Sequence, residues 1–216
     1  MPGRLVVFEG VEGAGKTTQL GRLARRLDRH GKQCDVFREP GGTLAGNEIR
    51  TLLLEPGNAI APAAEALLFM ASRAQLVEEA IKPALEREHF VLLDRFFLST
   101  YAYQVVGRRL DERTVRAANE LATQGVVPHL TLLLSLSSAQ GMDRIGRRGE
   151  RDRMEQEDAV FHSRVEGAFA TFDDIAWQRA HPEAGRVVAI DASLSEQEVE
   201  DLIWTEITLA FPEVSW

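Results

Sequence analysis

Cysteine is nearly absent from this 216-residue chain: Cys34 stands alone, so an internal disulfide is excluded and a reducing compartment is expected. Lysine is almost as scarce. Only Lys16, Lys32 and Lys82 occur among the 25 basic residues, and the remaining 22 are arginines, so any lysine chemistry is confined to few positions. A basic excess is also missing. With 33 acidic residues the net charge is −8, which argues against a general nucleic-acid binder. No apolar run approaches the ~20 residues of a membrane helix. The stretch Leu5–Phe8 is too short for a signal-peptide core, and a cytoplasmic location is expected. There is no internal repeat, low-complexity tract or linker. Hydrophobic content of 44% with 27% charged residues suits one globular domain with a proper core.

Short β-branched runs alternate with longer amphipathic ones, the pattern of a parallel sheet covered by helices. Strands are expected at Leu5–Phe8, Cys34–Phe37, Phe90–Leu93, Leu130–Leu136 and Val187–Ile190. A helix is expected over Thr17–His30, where Leu20, Leu23, Ala24 and Leu27 form one stripe and Gly31 stands to end it. A second carries Ile49, Leu52 and Leu53. A long one runs from Pro62 to about Glu86, with Leu67, Leu68, Ala71, Leu76 and Ile81 apolar. Shorter ones are expected at Ser99–Val105 and Glu112–Thr123, and a closing one at Glu196–Leu209. The fold class is therefore α/β, a parallel sheet of about five strands with helices on both faces.

Gly10-Val11-Glu12-Gly13-Ala14-Gly15-Lys16-Thr17 matches G-x-x-x-x-G-K-S/T directly after an apolar strand and at the opening of a helix. Glycines let successive backbone N–H groups converge on a phosphate, and the helix N-terminus adds partial positive charge. Lys16 reaches the β- and γ-phosphates, and the Thr17 hydroxyl can ligate Mg²⁺. The loop implies a nucleoside triphosphate without naming a second substrate.

Two motifs that would divert this reading are missing. No N-K-x-D segment reads guanine, since Asn47, Asn58 and Asn119 are followed by Glu, Ala and Glu, and no L-S-G-G-Q segment marks a transporter ATPase. Small-molecule kinases remain, and they need an acceptor pocket and a cationic lid. Arg144 to Arg153 places five arginines in ten residues. It reads either as a lid that stabilises a transferring phosphoryl group or as a solvated face paired with Glu150 and Asp152. Asp94-Arg95 lies just beyond a buried strand, where ligands of open parallel sheets bind. The carboxylate can orient Mg²⁺ or the acceptor and the guanidinium can hold a phosphate; a strand-capping ion pair is the other reading.

The segments Phe8–Gln19, Arg38-Glu39-Pro40-Gly41-Gly42-Thr43, Phe69-Met70-Ala71-Ser72-Arg73, Asp94–Gln104, Arg148-Gly149-Glu150 and Asp152-Arg153 together resemble bacterial thymidylate kinases across essentially the whole chain. The resemblance implies a single phosphate-loop kinase domain with a mobile lid at about 144–155, transferring the γ-phosphoryl group of ATP to dTMP with Mg²⁺. It implies Phe69 against the thymine ring and Arg73 at the base edge. From the residues alone Phe69 reads as core, because it sits in an apolar helix. Arg95, assisted by Arg50, would hold the dTMP phosphate, and Glu39 would position that region. Ser99 and Gln104 would lie at the base and Tyr103 against the sugar, although the spacing of this trio also fits an ordinary amphipathic surface. Glu12 would approach the sugar 3′-hydroxyl. The donor side would comprise Gly10 to Thr18 and Arg144. Lys16, Arg95, Arg148 and Arg153 would carry catalysis, with Thr17 and Asp94 on the metal.

The phosphate loop lacks arginine and the lid is rich in it, which fits the lid-arginine type. Ser135 stands where the family commonly has Asp, Phe96 where Tyr or His is frequent, and Met70 where an aromatic is common. Arg151 receives no role. The family is typically homodimeric. Other acceptors within the class, another nucleoside monophosphate or a deoxynucleoside, stay open at this stage. So does a phosphate-loop protein that binds ATP without transferring phosphate.

Overall fold

A computed structural model describes residues 3–146 and 152–216. Five strands, β1 (Arg4–Glu9), β2 (Cys34–Arg38), β3 (Phe90–Asp94), β4 (Leu130–Ser135) and β5 (Val187–Asp191), form one sheet in the order β2-β3-β1-β4-β5. Every pairing is parallel. All six residues of β1 are buried, as are Phe90–Leu93 of β3 and Leu130–Leu134 of β4. Strands sealed on both sides have helices over both faces, which is why they read as continuous apolar runs. The edge strands β2 and β5 are only partly covered. Chain direction around the sheet reverses at β1, with β3 on one side and β4 on the other, so the loop after β1 opens at the crevice where such sheets bind ligands.

Helix α1 (Lys16–Arg29) buries Leu20, Leu23 and Leu27, and Gly31 ends it at φ 67° with its N–H on the Asp28 carbonyl. Helix α2 (Leu44–Leu54) is capped by the Thr43 hydroxyl. The long helix expected from Pro62 is not uniform. It runs as α3 (Pro62–Leu76), a π-helical turn at Val77–Ile81, and α4 (Lys82–Glu86). Not all of the apolar residues along it turn inward. Leu76 and Ile81 are buried, but Leu67 is 63% exposed, whereas Glu65 and Arg73 are buried. Helix α3 thus turns a polar face inward, because Glu65 and Arg73 find ionic partners there.

The helix expected at Ser99–Val105 starts earlier, as α5 (Phe97–Thr100), and continues as a π-helical segment, Tyr101–Gly107. Such insertions recur where a helix must aim side chains at a site. Helix α6 (Glu112–Thr123) follows, with Asp111 as its N-cap. After β4 come α7 (Ser138–Ile145), α8 (Ala159–Phe169), α9 (Ile175–Ala180) and a 3₁₀ turn at Pro182–Ala184. The closing α10 (Glu196–Ala210) opens on a capping box between Ser195 and Glu198. No helix of the described residues is long and apolar enough to cross a membrane.

Candidate active site

The loop Gly10–Gly15 leaves β1 and delivers Lys16 to the first turn of α1. Gly15 is required by its φ of 91° alone, but Gly10 and Gly13 are required by space as well as by conformation. A Cβ on Gly10 would lie 2.4 Å from the Leu134 carbonyl oxygen, and one on Gly13 would lie 2.2 Å from that of Gly141. Gly141 answers in kind: a Cβ there would lie 2.2 Å from the Glu12 oxygen, so α7 and the loop meet backbone to backbone. The Lys16 ammonium folds over the loop, donating to the carbonyls of Gly10 at 3.0 Å and Val11 at 2.8 Å. Burial, and after it the Arg95 charge, bring its pKa down to about 8 in spite of Asp94, Glu12 and Glu9 nearby. An anionic phosphate would relieve both effects.

Beyond the loop, residues from β2, α2, α3, α5 and the π-helical segment line a cleft of about 950 Å³. Its lining includes Glu12, Lys16, Thr17 and Thr18 on the phosphate-loop side, Glu39, Arg50, Phe69 and Arg73 on another, and Asp94, Arg95, Ser99, Tyr103 and Gln104 on a third. That volume suits a nucleotide-sized ligand.

Arg95 joins these sides. Its φ of 73° is left-handed, a conformation costing a non-glycine residue on the order of 1–3 kcal/mol. The surroundings hold it there. Its N–H donates to the Phe8 carbonyl at 3.0 Å, and its guanidinium donates to Gly10 O at 3.1 Å, Ser99 Oγ at 2.8 Å and Glu12 Oε1 at 3.2 Å. The Tyr103 hydroxyl also donates to Glu12. Burial alone would raise the Glu12 carboxyl, but Arg95, Lys16 and Tyr103 hold it below the usual carboxylate range.

Glu9, a fully buried residue that the sequence reading passed over, fixes this corner. Its carboxylate accepts from the backbone N–H of Phe96 at 2.7 Å and of Ser99 at 3.1 Å, and from the Ser99 hydroxyl at 2.6 Å. It thereby caps the helix that carries Ser99 and Thr100 and sets Ser99 against Arg95.

Arg73 is 2% exposed, and its nitrogens are engaged within the protein. It donates to Glu39 Oε2 at 2.8 Å, Thr100 Oγ1 at 2.8 Å, Asn119 Oδ1 at 2.5 Å and the Phe96 carbonyl at 2.9 Å. Burial raises the Glu39 carboxyl above its ordinary range despite Arg73, and its Oε1 is sealed without a partner. Arg50 donates to the Pro40 carbonyl at 2.9 Å; burial, then neighbouring Arg38, lowers its pKa.

The Thr17 hydroxyl donates to Asp94 Oδ2 at 2.8 Å, at the open mouth of the loop. Hydroxyl and carboxylate oxygens side by side fit Mg²⁺, which binds through one or two protein oxygens and takes the rest from water and phosphate. Among the described residues no group of three or more His, Cys, Asp or Glu forms a metal cage.

Next to the loop a second groove is lined by Gly13, Gly15, Thr18, Gln19, Arg144 and the stretch after β5, including Ala192, Leu194 and Ser195. Arg144 spans it, donating to the carbonyls of Gly13 at 3.4 Å and Ala192 at 3.1 Å.

The thymidylate kinase family profile matches residues 8–203 of the chain. Among curated relatives, the thymidylate kinase of Deinococcus radiodurans is 45% identical over 206 residues, 95% of this chain and 97% of that protein. Those of Exiguobacterium sp. and Halothermothrix orenii are 43% and 42% identical, with 93% and 96% of this chain and 92% and 97% of theirs covered. The chain belongs to the thymidylate kinase family.

Set against what that family resemblance implied, most expected residues gather around one cleft: Glu12, Lys16, Thr17, Thr18, Glu39, Arg50, Phe69, Arg73, Asp94, Arg95, Ser99, Tyr103 and Gln104. Arg153 does not join them. Its guanidinium donates to the Leu53 carbonyl at 2.6 Å and to Glu65 Oε2 at 2.7 Å, and its own N–H to the Leu54 carbonyl at 3.0 Å, so it clamps its own segment to α2 and α3 instead of facing the phosphate loop. Its neighbours Asp152 and Glu155 line the cleft. Arg148 lies outside the described residues, as does the 147–151 part of the lid expected at about 144–155. Besides Glu9, the sequence reading missed Thr100, Asn119, Glu65 and the groove after β5. Thr100 was within reach, since it lies four residues before Gln104 on the same helix.

Proposed function

We propose that the chain is an ATP-dependent thymidylate kinase, transferring the γ-phosphoryl group of ATP to a phosphate oxygen of dTMP to give dTDP and ADP. Arg95 carries this reading. It is held against both the phosphate-loop backbone at Gly10 and the acceptor-side Ser99, where a cation spans the two phosphates that must meet. The acceptor oxygen is already anionic, so the reaction calls for positioning and charge neutralisation rather than a strong base.

In this reading Lys16 exchanges the loop carbonyls for the β- and γ-phosphates, while the backbone from Gly10 to Thr18 cradles them. Arg144 and the groove after β5 hold the purine end of ATP. Thr17 and Asp94 hold Mg²⁺, which when bound neutralises phosphate charge. Phe69 offers its ring to the thymine, Arg73, Ser99 and Gln104 its polar edges, and Tyr103 and Glu12 the sugar. Arg95 and Arg50 take the acceptor phosphate, with Glu39 bracing that side through Arg73. The segment at about 144–155 acts as a lid whose arginines, Arg148 among them, cover the transferring group and keep water out. Arg153 serves that lid as its anchor. The whole chain acts as one kinase domain, and a cytoplasmic setting suits its soluble substrates.

We also read the protein as a homodimer. Leu52, Leu67 and Leu121 are 47%, 63% and 80% exposed on α2, α3 and α6, which pack side by side, and a second copy would cover them. The test of function is ATP turnover against a panel of acceptors: dTMP, dUMP, dCMP, dGMP, AMP and thymidine. ADP release that depends on dTMP and yields dTDP supports the reading.

A further inference from the structure

Glu65 has no exposed surface, yet it lies among the most heavily bonded carboxylates of the molecule. Its Oε1 accepts from Gln104 Nε2 at 3.1 Å and Arg108 Nε at 3.0 Å, and its Oε2 from Arg108 at 2.8 Å and Arg153 at 2.7 Å. Burial would raise its pKa, but these donors hold it below the usual range, so it is ionised.

An ionised carboxylate accepts and cannot donate. The Gln104 amide can therefore meet Glu65 only through its NH₂ group, which turns its oxygen the other way. That oxygen is not sealed in the interior, and Gln104 lines the cleft together with Phe69, Arg73 and Thr100. The placement is ordered. Glu65, Phe69 and Arg73 recur four residues apart along one face of α3. Across from them Gln104 pairs with Glu65 and Thr100 with Arg73. Two polar rungs thus flank the Phe69 ring. Arg73 can only donate, and Gln104 presents an acceptor.

We propose that Glu65 is a positioning residue for base selection: it locks the Gln104 amide with its oxygen toward the cleft, so that the pocket takes a pyrimidine carrying N–H at its N3 ring nitrogen, as thymine and uracil do, and rejects one with a lone pair there, as in cytosine. The proposal rests on the cleft being the acceptor-nucleotide site. A cytosine ring in the same pose sets one lone pair against another and leaves both groups unpaired, the arrangement that buried polar sites discriminate against most strongly.

The test compares kcat/KM for dTMP and dCMP in wild type, Glu65→Gln, Arg108→Gln and the double variant. An amide at position 65 can donate or accept, so it no longer dictates how Gln104 stands. In Glu65→Gln the dTMP-to-dCMP ratio falls about tenfold, chiefly through a higher KM for dTMP. Arg108→Gln breaks the same ion-pair cluster without touching the Gln104 contact, and its ratio stays within about twofold of wild type. The double variant leaves fewer cations stranded around position 65 and so folds where Glu65→Gln alone does not; its ratio falls as that of Glu65→Gln does. A parallel loss on both nucleotides with an unchanged ratio makes Glu65 merely structural and overturns the proposal. A Gln104 side-chain amide NMR signal that stays in place in Glu65→Gln overturns it independently of any substrate. A wild type that does not prefer dTMP overturns the acceptor reading, and the proposal with it, even where the amide signal moves.

Discussion

Lys16 is the residue on which the proposed donor site turns, and its chemistry is testable in two ways. Lys16→Ala removes the cation at the β- and γ-phosphates and lowers turnover by about 10³-fold or more, while circular dichroism stays that of the wild type. With a pKa of about 8 in the free protein, Lys16 is charged at pH 6.5 and more than half neutral at pH 8.5. Bound triphosphate favours the charged form, so ATP binding takes up protons at the higher pH and almost none through this group at the lower. Calorimetry in buffers of different ionisation heat reads that uptake directly. Arg73 behaves differently. Removing it strands the buried Glu39 carboxylate, so Arg73→Ala raises the KM for dTMP and also costs about 3–5 kcal/mol of stability, most of which Glu39→Gln restores when added. A Tm unchanged by Arg73→Ala contradicts this pairing. The donor-side residues were legible because consecutive positions carry them. Glu9 and Glu65 were not, because their partners, Ser99 and Phe96 for one and Gln104, Arg108 and Arg153 for the other, are distant in sequence and leave no local pattern.

Among elements, the backbone-to-backbone contact between α7 and the phosphate loop is a tight constraint. Gly141→Ala forces its new methyl onto the Glu12 carbonyl and should lower kcat/KM for ATP at least about tenfold. Gly167→Ala, on α8 with nothing near its Cβ position, should instead add about 0.5–1 kcal/mol of stability and leave kinetics alone. Equal effects from the two contradict the account. Strand and helix positions were readable from periodicity to within a residue or two, as at β1, α1 and α10. The two π-helical segments were not. A π-turn adds one residue without changing composition; the one at Tyr101–Gly107 carries Tyr103 and Gln104, which line the cleft. Which face of α3 turns inward was not legible either: ionic pairing drew Glu65 and Arg73 in and left Leu67 to solvent.

At the scale of the molecule, net charge and site charge separate. The chain is acidic at −8, yet Lys16, Arg50, Arg73 and Arg95 converge on one cleft, where two anionic nucleotides would meet. The exposed Leu52, Leu67 and Leu121 of α2, α3 and α6 carry a second whole-molecule claim, the proposed homodimer. Light scattering should give twice the 24.0 kDa chain mass, and Leu67→Glu should shift it toward the single chain. A wild-type mass of one chain rejects the homodimer. The central claim is tested most directly by following ADP release and dTDP formation with ATP and Mg²⁺ across the acceptor panel. The account predicts turnover that depends on dTMP, exceeds that with dCMP, dGMP or AMP, and is absent with thymidine. ADP release indifferent to the acceptor, or a preference for another monophosphate, would contradict it.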